Sequence, residues 1–395
     1  MKITFIPLRL KGCENLELFR IGKKHSAPGG AAAVQTSSAS RHPYSSVLGT
    51  VALCSAENRV YSALREAVPI IDAAIGKTVR LAEGFSVDAH GALAQRELDA
   101  FFKGVNVGGT QTGIMSFVSL YLDQLLTYGT AVGEMVVSGG QLIALYNGEL
   151  ETLEVKRAQN SLDVEFYNRT LHSSVPLKNP ELILYSVLNP MPGKMTGTSL
   201  LRGLPFISDI LLKIYNTIGT NWERVGNLRY AVTYKPQGDV SDKTLARDRA
   251  NMMAKQWQEA MQSKETVKDF VAVGDVSVKV IGADNQILDS EIPVRQLLEQ
   301  IVAKTGLPPF VFGLNWSSTE RMSTQQADIL TTELESYRRV LTPVIEKIAN
   351  TFLLLNGYSP SAEVIWNDIT LQDETQLAQA RLYEAQAKQI ETEEC

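Results

Sequence analysis

Apolar side chains recur every three to four residues at Val60, Leu64, Val68, Ile71, Ile75 and Val79. This is the spacing that gathers side chains on one face of a helix. The pattern predicts one helix over 56–81, bent at Pro69, where the ring removes a backbone donor. A second helix is expected from about Gly113 to Tyr128, after the turn VNVGGTQTG. Between Ala131 and Leu188 the period shortens to two in VGEMVVSGGQLIALY and LDVEFYN, broken by Gly and Asn, as in β-meanders. The loop NPMPGKMTGTS follows, and its Thr198 or Ser199 is expected to cap a long helix. Leu200, Leu204, Ile207, Leu211, Ile214, Ile218, Trp222 and Val225 form the apolar stripe of that helix.

From Tyr230 to Ser290 the pattern is that of a compact α/β insertion. RYAVTYKP reads as a strand, Ser241 to Met261 as a polar amphipathic helix, and VKDFVAVGDVSVKVIG as two short strands turning at Gly274-Asp275. A further helix is expected to start at Pro293, with Val294, Leu297, Leu298, Ile301 and Val302 on one stripe, and to end at Gly306 before Pro308-Pro309. After the irregular FVFGLNWSSTERMS, a last long helix is predicted over 324–355, kinked at Pro343. A short strand, AEVIWND, precedes a polar, helix-prone end. The fold class read from this succession is α+β, mainly helical.

Composition narrows the field. With 395 residues, 44% hydrophobic and 21% charged, the chain is too apolar for disorder as its main state. The stretch HSAPGGAAAVQTSSASRHPYSS (25–46) is the exception, since it has almost nothing to bury. It is read as a flexible arm, either a linker or a partner-binding segment. The net charge of −5, from 38 Lys+Arg against 43 Asp+Glu, repels a polyanion and argues against a bulk DNA coat. Cys13, Cys54 and Cys395 are far apart and odd in number, which fits a reducing compartment without a disulfide framework or zinc site. The opening MKITFIPLRLKG lacks the apolar core of a signal peptide, and no apolar run approaches the roughly 20 residues of a membrane span. Neither export nor membrane insertion is expected.

Each pattern that could carry chemistry falls short of it. The glycine at 193 with Lys194 lacks the first glycine and the Ser/Thr of a phosphate loop. Gly108 to Gly113 has the glycine spacing but continues Ile-Met, so it reads as a turn. His25, His42, His90 and His172 have no near partners, which leaves a metal or a histidine base unsupported. Ser317-Ser318 lacks the glycines of a nucleophile elbow. Glu333 and Glu335 fall on different helix faces. No catalytic residue, cofactor or metal site is expected, and the chain is read as a non-enzyme.

Three segments nevertheless stand in a telling order. They are GTSLLRGLPFISDILLKIYNTIGTNWERVGN, then ILDSEIPVRQLLEQIVAKTGLPPFVFG, then STQQADILTTELESYRRVLTPVIEKIANTFL after a polar loop. The succession resembles the portal proteins of tailed double-stranded DNA bacteriophages, in particular the long-tailed, siphovirus-type family, over about 57–367. The resemblance implies a ring, usually of twelve subunits, at one capsid vertex. It assigns 1–50 as a flexible N-terminal arm, 51–197 as an α+β wing, 198–227 as a first stem helix and 228–290 as an α/β clip. It assigns 291–306 as a second stem helix, 307–324 as a tunnel loop region, 325–370 as a kinked tunnel helix with a wing strand, and 371–395 as a short acidic crown.

By the same resemblance, Asn315, Trp316, Ser317, Ser318, Thr319, Glu320 and Arg321 face the DNA channel. Arg321 is read as a phosphate contact or an intersubunit ion pair, and Trp316 as a loop anchor or a DNA stacker. Pro343 marks the tunnel-helix kink, and Leu211, Ile218, Leu298 and Val302 pack the stem and the oligomer. The implied partners are further copies in a dodecameric ring, duplex DNA passing without sequence preference, the terminase large subunit, the capsid or scaffold protein, and a head-completion adaptor. No membrane partner is implied. The competing reading is a scaffold or adaptor that assembles complexes without a channel. A hydrolase using Ser317 or Ser318 is the catalytic alternative.

Overall fold

The computed structural model describes residues 34–36, 55–159, 163–170, 173–226, 229–234, 247–255, 258, 276–281, 290–314, 320–369 and 386. It is mixed helix and sheet, mainly helical, in two compact units: Met1–Arg202 with Val302–Cys395, and Gly203–Ile301.

The first unit opens with α1 (Ala56–Ala67) and α2 (Pro69–Ala82). These are two helices in place of the single bent one that periodicity predicts. Proline keeps the residue before it out of the helical region, and Val68 is extended at φ −125° and ψ 91°. Pro69 then starts α2, where its missing N–H costs nothing. Leu64, Val68, Ile71, Ile75 and Val79 are buried as expected, whereas Val60 is exposed. Strand β1 (Phe85–Asp88), α3 (Ala92–Gly104) and the short β2 (Asn106–Val107) and β3 (Gln111–Thr112) follow.

The core is built on α4 (Ile114–Tyr128), whose Phe117, Tyr121 and Leu125 are fully buried. Phe117 lies against β4 (Thr130–Ser138) at Gly133, where an added Cβ would come within 2.6 Å of the ring. β5 (Gln141–Asn147) returns antiparallel to β4. The alternating stretch then divides into two sheets. β6 (Leu153–Arg157), β7 (Val164–Arg169) and β8 (Ser174–Pro176) form one, and β9 (Ile183–Val187) goes back to β4 to give the order β3-β2-β5-β4-β9 in the other.

Gly129 ends α4 at φ +76°. The strand of chain at 197–199 is strapped across it: Ser199 Oγ donates to the Thr127 carbonyl at 2.6 Å and accepts from Leu201 N at 2.9 Å. Ser199 therefore caps a turn at 200–203, and the long helix starts later, at Leu204.

The final helix, Glu320–Leu355, contains Pro343 and starts four residues before the predicted Thr324. Its buried side includes Leu330, Leu334, Tyr337, Leu341, Val344 and Ile348. Phe352 stacks on Phe101 of α3 with ring centroids 4.4 Å apart. β12 (Glu363–Trp366) pairs antiparallel with β1.

The second unit holds α5 (Leu204–Gly226), β10 (Arg229–Tyr234), a helical stretch at 247–255, and β11 (Val276–Ile281), which pairs antiparallel with β10. The predicted turn at Gly274-Asp275 and the strand before it lie outside the described residues. α7 (Glu291–Thr305) crosses the unit boundary and begins two residues before Pro293; α6 denotes the stretch at 247–255, and α8 the final helix. Among the described residues no helix is long and apolar enough to cross a membrane.

Within the stretch expected to be a flexible arm, residues 34–36 have fixed places, and Thr36 is fully buried. The segment expected to form a crown, 371–395, lies outside the described residues except for 386.

Candidate functional site

A helix that is apolar on one stripe can be satisfied by one neighbour, whereas one that is apolar around much of its circumference needs several. α5 is of the second kind. Leu204 and Leu211 are buried, and Ile207, Ile214 and Ile218 are half-buried. Phe206 is 71% exposed and Trp222 65% exposed. Tyr215, also exposed, precedes Trp222 by seven residues and shares its face. On a further side, Ile210 and Ile214 face Pro293, Gln296 and Leu297 of α7 across an open groove of about 480 Å³. Ile292 at the start of α7 is exposed as well. Charged pairs on these helices run along their own axes, Lys213 to Asp209 at 2.6 Å and Arg295 to Glu299 at 3.0 Å. Exposed aromatic side chains of this kind are suited to protein contact.

The residues named for stem packing divide in two. Leu211 and Val302 are covered within the single chain, at 1% and 8% exposure, while Ile218 and Leu298 are half-buried. Periodicity found the stripe but could not separate these, because spacing identifies a face and not what covers it. Phe206 was missed because it lies off the main stripe. Its signal was an aromatic side chain at a position the stripe leaves to solvent.

Asn315, Trp316, Ser317, Ser318 and Thr319 lie outside the described residues. Glu320 and Arg321 form the first turn of α8 and not part of the loop, a correction to the predicted helix start. Pro343 sits inside α8, exposed. The preceding Thr342 donates its hydroxyl to the Arg338 carbonyl at 2.9 Å and accepts the Trp366 indole N–H at 2.9 Å.

Two titratable clusters in the first unit are structural. Arg65 bridges Asp72 at 2.7 Å and Asp123 at 2.6 Å, joining α1, α2 and α4. Tyr121 donates to Ser186 Oγ at 2.9 Å, and burial pushes its phenol well up from the usual range. The Tyr185 phenol, donating to the Met195 carbonyl at 2.6 Å, is pushed up by burial to about 12. Neither tyrosine is placed to exchange protons near neutrality. Among the described residues no cluster of His, Cys, Asp and Glu could hold a metal ion.

No family model matches the chain, and no curated protein is similar to it in sequence. Its fold matches solved structures. A chain of the virion of the native gene transfer agent particle aligns over 83% of this chain and 89% of its own length, at 12% identity and a TM-score of 0.58. A chain of the neck of that particle, computed with C12 symmetry, aligns over 81% and 89%, at 14% identity and a TM-score of 0.52. An HK97-family phage portal protein from Corynebacterium diphtheriae aligns over 76% and 92% at 12% identity, with a TM-score of 0.39, below the range that identifies a shared fold. The protein thus has the fold of chains that build the gene transfer agent particle and its neck.

Proposed function

We propose that this chain is a portal subunit: copies close into a ring at one vertex of a phage or phage-like capsid, and duplex DNA enters and leaves through the bore. The observation that carries this reading is the match to a neck chain over four-fifths of this chain and nearly nine-tenths of the other, in an assembly of C12 symmetry. The order of helices and insertion in the sequence supports the same reading independently.

The physical chemistry agrees. A closed ring needs heterologous contacts, one face of each subunit meeting a different face of the next. α5 offers Phe206 on one side and Tyr215 with Trp222 on another. A net charge of −5 is consistent with a low-friction bore, since many phosphate–lysine contacts would trap the DNA. In this reading the ring is a dodecamer in which Leu211, Ile218, Leu298 and Val302 pack the stem, and Asn315 to Arg321 face the bore. Pro343 bends the tunnel helix, and the clip at 228–290 receives the terminase large subunit and then the head-completion adaptor. The wing meets the capsid or scaffold protein.

Electron microscopy of the purified full chain, with native mass spectrometry, tests the reading. Closed rings with a central channel wide enough for duplex DNA are expected. A monomer or a poreless assembly under all conditions overturns the portal reading and leaves the adaptor in its place.

A further inference from the structure

Glu134 stands in the middle of β4, hydrogen-bonded through its backbone ladder to β5 on one side and β9 on the other, and is 1% exposed. A carboxylate in such a place is costly to bury unless donors meet it. Its donors come from the arm, 98 and 99 residues away. Gln35 N donates to Oε1 at 2.8 Å; Thr36 N and Thr36 Oγ1 donate to Oε2 at 2.9 and 2.8 Å.

The rest of the dipeptide is matched as closely. The Gln35 carbonyl accepts from Asn168 Nδ2 at 2.5 Å, and the Thr36 carbonyl accepts from Thr152 Oγ1 at 2.6 Å. The Gln35 side chain accepts from Asn179 N at 3.1 Å and donates to the Asn179 carbonyl at 3.5 Å. Both backbone N–H groups and both carbonyls are therefore paired. Glu134 belongs to the five-stranded sheet and Asn168 to the three-stranded sheet. Gly148 leaves room for Thr36: a Cβ there would lie 3.4 Å from Thr36 Oγ1 and only 2.8 Å from Val132 Cγ1.

We infer that the first unit contains a peptide-binding socket, centred on Glu134, whose ligand is a bent Gln-Thr dipeptide and whose resident occupant is the chain's own Gln35-Thr36. Recognition is polar. Apart from Val34, the flanking HSAPGGAAA and SSAS have almost no large apolar side chains, so specificity falls mainly on the two residues whose hydrogen-bonding groups the socket matches. A charge-assisted set of three donors on one carboxylate is directional, and it selects threonine or serine over an isosteric valine. The socket fixes Gln35-Thr36 on the first unit. This inference does not depend on the portal reading, because it concerns the single chain.

Hydrogen exchange on the full-length protein tests it first. The Gln35 and Thr36 amides are expected to exchange at least about tenfold more slowly than the same amides in an isolated peptide of residues 31–40, and Glu134→Gln or Thr36→Val removes that protection. Exchange of the two wild-type amides at unprotected rates overturns the socket. The second test uses a labelled peptide of residues 31–40, AAAVQTSSAS, with the full chain carrying Gln35→Pro and Thr36→Val so that its own arm is disabled. The peptide should bind this variant and not the occupied wild type. A peptide with valine at the Thr36 position should bind at least roughly tenfold more weakly, a loss of about 1.4 kcal/mol. Equal binding of the two peptides, or no binding of either, overturns the proposal. The peptide comparison needs no change at Glu134, so it decides the matter even if Glu134→Gln does not fold.

Discussion

The guanidinium of Arg338, on α8, lies over the indole of Trp366, on β12, 5.0 Å from the ring centroid. It also donates to the carbonyls of Ala82 at 3.2 Å, Glu83 at 3.3 Å and Asn367 at 2.7 Å. Three elements distant in sequence meet on one side chain that is 6% exposed. Burial pushes its pKa down from the ordinary value, opposed by Glu335 and Asp368, and the group remains a cation near neutral pH. The carbonyls at the end of α2 lie where the helix dipole is negative, so the charge is placed favourably.

Arg338→Met should therefore lower the stability of the first unit by about 2–4 kcal/mol, because the carbonyls lose their charged donor and the indole its cation. Chemical denaturation followed by circular dichroism reads this out. Arg338→Lys should recover only part, since one ammonium cannot span the fork. An unchanged denaturation midpoint in the methionine variant removes Arg338 as a tie between these elements.

Gly129→Ala should be among the most damaging single changes in the first unit. An added Cβ would lie 2.4 Å from the Thr198 carbonyl carbon, at a residue with φ +76°. Backbone and not side chain blocks the space, so the cost should be about 3 kcal/mol or more. Thermal unfolding measures it, and a variant as stable as wild type would show that the 197–199 strap can move away.

Phe206→Ser and Trp222→Ser remove exposed aromatic side chains. Each should change the stability of the monomer by less than about 0.5 kcal/mol, while ring formation falls sharply. Light scattering and electron microscopy on the folded variants separate the two effects; normal rings from both would place the subunit interface elsewhere.

Val302→Asp provides the opposite case. Because Val302 is 8% exposed in the single chain, a carboxylate there lacks water and a partner. Loss of folding is expected before assembly can be scored, with a drop of about 3 kcal/mol or more in denaturant titration. A stable monomer that merely fails to assemble would mean that the stripe is covered only in the ring.

Pro343→Ala restores a backbone donor toward the Arg339 carbonyl, and a proline in a helix interior costs about 3 kcal/mol. The variant helix should be the more stable one by thermal unfolding. If the proline sets the angle of the tunnel helix, packaging of DNA by particles built with the variant should fall although rings form. Equal packaging removes that role.

Much of the helical content was legible from spacing. Leu330, Leu334, Tyr337, Leu341 and Ile348 recur at three, four and seven residues, and all are buried. The break at Val68 was misread as a bend, although the residue before a proline is itself restricted. The start of α8 was placed late because polar residues such as Glu320 and Arg321 carry no periodic signal. Glu134 did carry one, a lone charge within the apolar VGEMVV, but nothing in the strand pattern pointed to a partner 98 residues upstream.

Local order decided which stretches are helix or strand, because the 3.6- and 2-residue periods follow from backbone geometry and the segregation of apolar side chains. Only the tertiary structure decided that the alternating stretch closes as two sheets, that Arg338 ties α2, α8 and β12 together, and that Gln35-Thr36 sits on Glu134. Those pairings join groups tens to hundreds of residues apart, and their strength comes from burial and hydrogen-bond geometry that exist only once the chain has folded.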